Sequence, residues 1–127
     1  MTFLDSKMTP SEIIQADAQR TGYDVKAALL KLKDQLESGQ SVMLRENNSL
    51  LVLTKIGDGI AEIHLFTADK PLTIAKSALK FLEKVSQSDT QRVYGKADNP
   101  QIVQLLRNLG MEVQDSDRPE YNWMLDL

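Results

Sequence analysis

The sequence contains no cysteine, so it can build neither a disulfide framework nor a thiolate zinc site. Its single histidine puts a multi-histidine metal centre out of reach, and no metal site is expected. No run approaches the roughly 20 apolar residues of a bilayer-spanning helix. The start, "MTFLDSKMTP", lacks the basic residues and apolar stretch of a secretory signal. The expectation is a cytoplasmic protein with no membrane partner. Positive charge is not in excess, with 15 Lys and Arg against 18 Asp and Glu. A net charge of −3 argues against a nucleic-acid binder, which presents a basic face. Lys26, Lys31 and Lys33 cluster, but Asp34 and Glu37 follow them, as on an ordinary solvated helix. Repeats, low-complexity tracts and Gly/Ser linkers are missing too, so residues 1–127 are read as a single domain long enough to bury a core.

What is present is a change of period along the chain. "TPSE" (Thr9 to Glu12) is a capping box with Pro10 in the first helical position, predicting a helix to about Arg20 that stops at Gly22. Asp24 can cap a second helix, with Val25, Ala28, Leu29, Leu32 and Leu36 as its stripe and Gly39 beyond its end. Three short runs follow, 42–46, 50–56 and 60–66, separated by Asn47-Asn48 and by Gly57-Asp58-Gly59, residues that supply the positive backbone angles of tight hairpins. They predict an antiparallel meander whose third strand turns Ala61, Ile63 and Leu65 to one face and Glu62, His64 and Phe66 to the other.

After "TADKP" the helical period returns. Leu72, Ala75, Ala78, Leu79, Leu82 and Val85 trace one face, and Lys76, Lys80 and Lys84 the opposite, water-facing one. A strand is expected at 92–97. Pro100 then opens a helix carrying Ile102, Leu105, Leu106 and Leu109, which Gly110 closes. "MEVQD" and "YNWMLDL" read as two last strands joined by a turn, with Tyr121, Trp123 and Leu125 sharing a core face; "TFLD" near the start is a further candidate strand.

This order, together with the "ADNPQIVQLLRNLGMEV" corner at 97–113, resembles the Gcn5-related N-acetyltransferases (the GNAT superfamily) over about residues 25 to 127. Asn99, Leu109, Gly110 and Met111 stand where that family has an asparagine and a Leu-Gly-Phe-like turn. The resemblance implies an α/β fold, with a mixed, mostly antiparallel sheet of about six or seven strands flanked by helices on both faces. It also implies an acetyl-CoA site in the gap between the strands ending at Phe66 and Lys96. There the phosphates would meet backbone N–H groups around Thr73, Ile74 and Lys76, and Asn99 would touch the cofactor arm. The family's glycine-containing phosphate loop falls on "PLTIAK", however, where Pro71 lacks a donor and Ile74 adds branched bulk. Lys76 could bind a phosphate as a point charge. The tyrosine that many members use as general acid is Leu106 here.

On the third strand Glu62 or His64 could take a proton from an amine, the role the family gives this strand; a sheet-face role is the alternative for both. Ser77 has no nucleophile context, the acidic turn at Asp115, Asp117 and Glu120 does not match a calcium loop, and no P-loop or dinucleotide motif occurs. Two functions are therefore expected. The first is a GNAT-like module with a degenerate acetyl-CoA site and no cofactor, serving as a non-catalytic binding or structural unit. This pattern resembles small internal virion proteins of short-tailed bacteriophages, which implies a protein or virion partner in host cytoplasm or particle. The second is a divergent acetyl-CoA-dependent N-acetyltransferase. Exposed strand edges make a homodimer a further expectation.

Overall fold

The computed structural model describes residues 7–96 and 100–127, the side chains of 100–102 excepted. The candidate strand at "TFLD", and Asp98 and Asn99, lie outside the described residues.

Helix α1 (Pro10–Thr21) starts with the expected capping box: Thr9 Oγ1 accepts from the Glu12 amide, and Glu12 accepts from the Thr9 amide at 2.8 Å. It ends on Gly22, whose φ of 92° only glycine adopts without strain. Asp24 caps α2 (Val25–Glu37) by accepting from the Lys26 and Ala27 amides. The meander follows as β1 (Ser41–Glu46), β2 (Ser49–Gly57) and β3 (Ile60–Thr67), turned by Asn47 and Gly59 at positive φ. Helix α3 (Pro71–Ser86) carries the chain across to β4 (Arg92–Gly95), which lies parallel to β3. Helix α4 (Pro100–Asn108), β5 (Gln114–Asp115) and β6 (Trp123–Asp126) follow. The strand order is β1-β2-β3-β4-β6-β5, antiparallel at every pairing except β3–β4.

Alternation along the strands sends side chains into two cores. On one face Ile13 and Ile14 of α1 and Leu32 of α2 pack on Leu50, Val52 and Phe66. On the other, Phe81 and Val85 of α3 and Leu106 of α4 pack on Leu51, Val93, Trp123 and Leu125. Helices therefore cover both faces of the mixed α/β sheet, as the sequence implied.

Several expectations are corrected in detail. Leu72 and Leu79 point to solvent, 72% and 47% exposed, while Ile74, Ser77, Phe81 and Val85 turn inward. The helix is apolar around more than half its girth, so spacing alone does not select the buried side. Lys84 and Lys80 are held by Glu46, at 2.8 and 3.7 Å, and the ammonium groups keep that carboxyl below its ordinary range. The fourth strand stops at Gly95, and only Gln114 and Asp115 of "MEVQD" pair. Tyr121 precedes β6 and lies across Tyr94 on the face opposite Trp123 and Leu125.

The corner after α4 closes as its residues predict. Gly110 adopts φ 85°, its amide donates to the Arg107 carbonyl, and the Met111 amide reaches back to Leu106 O at 3.0 Å. This is a Schellman turn, which satisfies two carbonyls that the helix end would leave orphaned. Met111 then packs against the α3-side core.

Candidate functional site

The β3–β4 pair is where the sheet opens. Among the described residues its parallel register runs through Ile60↔Arg92, Ala61↔Val93 and Glu62↔Tyr94 and goes no further, although β3 continues to Thr67. Backbone alternation fixes what faces the opening. Gly59 O accepts from the Gln91 and Arg92 amides, and the Thr67 amide donates to Asp17 at 3.2 Å. Odd-numbered residues of β3 therefore direct their N–H and C=O away from β2, and Leu65 presents both groups to the gap.

The gap widens into a cleft of about 450 Å³, within the range of small-molecule sites. Its walls are apolar, formed by Leu51, Ile63 and Leu65 of the sheet, Phe81 and Leu82 of α3, and Trp123. The Trp123 ring covers Gly95 so closely that a Cβ there would sit 2.2 Å from it, which fixes glycine at the end of β4. The cleft crosses the sheet to the α1–α2 loop, where Arg20, Gly22 and Tyr23 line it.

A buried carboxylate organises that end. Asp17 of α1, 3% exposed, accepts from Tyr23 Oη at 2.7 Å, from the Thr67 amide and from the Arg20 guanidinium. It thus ties α1, the loop and the end of β3 together, and each of its bonds offsets part of the cost of burying the charge. Burial and the neighbouring carboxylate push the Tyr23 hydroxyl well above its ordinary range. A second polar group sits before α3: Asp69 accepts from the Asn48 amide and the Ser49 hydroxyl, and Ser49 meets Thr67 Oγ1 at 2.7 Å.

On the α1–α2 face a pocket of about 270 Å³ adjoins the cleft, lined among others by Lys31, Gln35, Thr54, Glu62, His64 and Phe66. His64 and Tyr23 line both spaces. His64 is exposed two residues past the last parallel pair, and its ring lies 4.4 Å from that of Phe66. Glu62 is half-buried and accepts the Tyr121 hydroxyl at 2.8 Å.

Of the residues singled out in the sequence, His64 and Ile74 line the cleft, while Glu62 and Phe66 line the adjoining pocket. Thr73, half-buried in the first turn of α3, and the exposed Lys76 line neither, and Asn99 lies outside the described residues. Leu106 borders the cleft with an apolar side chain. Sequence reasoning missed Asp17, Arg20 and Tyr23. The available signal was Asp17 itself, an acid three and four residues after Ile14 and Ile13 on the buried stripe of α1.

A mixed α/β sheet whose one parallel pair diverges into a through-going cleft, covered by helices on both faces, is the fold of the GNAT acetyltransferases. Solved structures agree. The chain superposes on a ribosomal-protein-alanine N-acetyltransferase from Brucella melitensis with a TM-score of 0.59 and 13% identity, over 98% of this chain and all of that one. It matches a Bacillus subtilis acetyltransferase in complex with CoA at TM-score 0.60 and 14% identity, over 96% and 95% of the two chains. A spermidine N-acetyltransferase variant from Vibrio cholerae gives 0.57 and 11%, over 94% and 90%. No protein-family model and no curated protein sequence matches the chain. What is shared with these enzymes is the fold.

Proposed function

We propose that the protein binds an acyl-CoA in the β3–β4 cleft and passes the acyl group to an amine held in the adjoining pocket of Glu62 and His64. The observation that carries this reading is the end of the parallel ladder after Glu62 and Tyr94, which opens an apolar passage through the sheet to the pocket holding Glu62 and His64. Bound there, the coenzyme would supply an acyl thioester. The walls fit its uncharged arm: Leu65 offers one amide and one carbonyl to the arm's own amide groups, and Ile63, Phe81 and Trp123 exclude water. Glu62 and His64 suit the acceptor side. A carboxylate attracts an ammonium group, and a neutral imidazole beside it takes the proton that must leave before nitrogen can attack. Tyr121, donating to Glu62, holds that carboxylate in place. With Leu106 in place of an acid, the departing thiolate takes its proton from water. Thiols ionise near about 8.5, so that loss slows the reaction without forbidding it.

Thiol release from acetyl-CoA, measured across a panel of primary amines, tests the proposal. Saturable turnover is expected, with kcat falling about 100-fold or more in His64→Ala or Glu62→Gln. Unchanged turnover in both variants would sink these role assignments.

The second reading is a non-catalytic binding module, with a protein or virion component as its partner. Ile74 in the cleft and Leu106 beside it favour this reading, since both put hydrocarbon where phosphate and acid chemistry would be needed. Silence across the amine panel, with a stoichiometric protein complex recovered at physiological salt, would select it.

A further inference from the structure

Resting on the acyl-CoA reading of the cleft, we infer that the phosphate end of its ligand is gripped by Arg20 and Lys96, which both line it, in place of the α3 amides. Helix α3 is poorly equipped for that task. Pro71 occupies its first turn without an N–H, Ile74 lines the cleft with branched hydrocarbon, and Lys76 points elsewhere. Among the described residues the charged side chains lining the cleft are Asp17, Arg20 and Lys96, with His64 on β3. In a chain of net charge −3, two cations against one buried carboxylate make a local reversal of sign that favours an anion.

Each cation is placed to act. Arg20 is anchored through one nitrogen to Asp17, which the Thr67 amide and Tyr23 hydroxyl fix in turn at the end of β3. Its side chain remains 46% exposed, leaving other donors of the planar fork to meet phosphate oxygens. Lys96 directly follows Gly95 at the end of β4, is exposed, and has no partner among the described residues. The same cleft is lined by the apolar Ile63, Leu65 and Phe81. A ligand with an anionic head and a long neutral arm fits this order of surfaces, and phosphopantetheine is such a group. A short dicarboxylate would satisfy the mouth and leave the apolar walls bare.

The test is calorimetric titration of the purified protein and its Lys96→Gln and Arg20→Gln variants with CoA, and with pantetheine, which has the arm and no phosphate. The expected result is CoA binding at least tenfold tighter than pantetheine. Each variant should lose about fivefold or more of the CoA affinity, keep its pantetheine affinity, and show a shallower salt dependence. Lys96→Gln removes a group that has no partner among the described residues, so its result depends little on a rearranged site. Wild-type affinity for CoA in Lys96→Gln and Arg20→Gln, or equal losses of CoA and pantetheine, would overturn the phosphate grip while leaving the cleft assignment intact. Failure of the wild type to bind either compound would overturn both.

Discussion

From Ile60 to Glu62 on one strand and Arg92 to Tyr94 on the other, the parallel pair is knit by backbone bonds and overlaid with side-chain ties. Arg92 is paired to Asp126 and Asp117, Tyr94 donates to Asp117 at 2.7 Å, Arg118 stacks 5.1 Å above the Tyr94 ring, and Tyr121 bridges to Glu62. From Ile63 and Gly95 onward the same two strands part. The end of β3 is held by a buried acid, Asp17, reaching over from α1. The contrast shows how a sheet is opened without stranding its polar groups. The Thr67 amide, five residues past the last described β3–β4 pair, is given a carboxylate as acceptor. The closed end relies on backbone pairing and many exposed or part-buried ties, and the open end on a few bonds to one buried carboxylate.

That difference orders the effects of breaking each. Asp17→Ala should be the most damaging change, costing about 3 kcal/mol, because it leaves the buried Thr67 amide without its acceptor and the Tyr23 hydroxyl with only the Ile14 carbonyl at 3.2 Å. Chemical denaturation measures the loss, and amide exchange should accelerate at Thr67 before Ala61. A global acceleration, equal at both positions, would contradict the idea of a locally held open end. Gly95→Ala should cost about 2 kcal/mol by forcing the Trp123 ring off its seat, with the same assay as readout. Arg92→Ala, at the closed end, should cost less than either change, despite removing more ion pairs than any other substitution here, because solvent screens its pairs. A loss there as large as that from Asp17→Ala would reverse the comparison.

The smallest effect concerns alkaline pH. Burial and the Glu62 carboxylate push the Tyr121 hydroxyl from 10 up to about 12. The unfolded chain releases this proton near the lower value and the folded chain near the higher one. The folded state thus holds more protons in that window, and stability falls as pH rises through it. Tyr23, raised by burial and Asp17, adds a fall in the same direction. Tyr121→Phe keeps the ring over Tyr94 and should flatten the decline between these pH values. A profile as steep as that of the wild type would locate the alkaline sensitivity elsewhere.

The parts of this architecture legible in the sequence are those decided within a few residues. Thr9 and Glu12, Asp24, Asn47, Gly59 and Gly110 each announce a cap or turn through their own backbone chemistry, and each is found in that role. The opposed faces of β3 follow from alternation alone. What escaped depends on distant neighbours. Asp17 finds its acceptor role at Thr67, 50 residues on, and Ser49 meets Asp69 across a turn and a strand. Leu72 and Leu79 fit an apolar stripe as well as Phe81 does; only the position of the sheet decides which of them is buried. Arg20 and Lys96 lie 76 positions apart, and no spacing rule brings them to one cleft.

Trp123 is the only tryptophan in the chain, and its indole forms the cleft wall against Gly95. The protein therefore carries its own optical gauge. Any molecule that slides between β3 and β4 must change the polarity around that one ring, so its emission reports on occupancy of the opening without an added label.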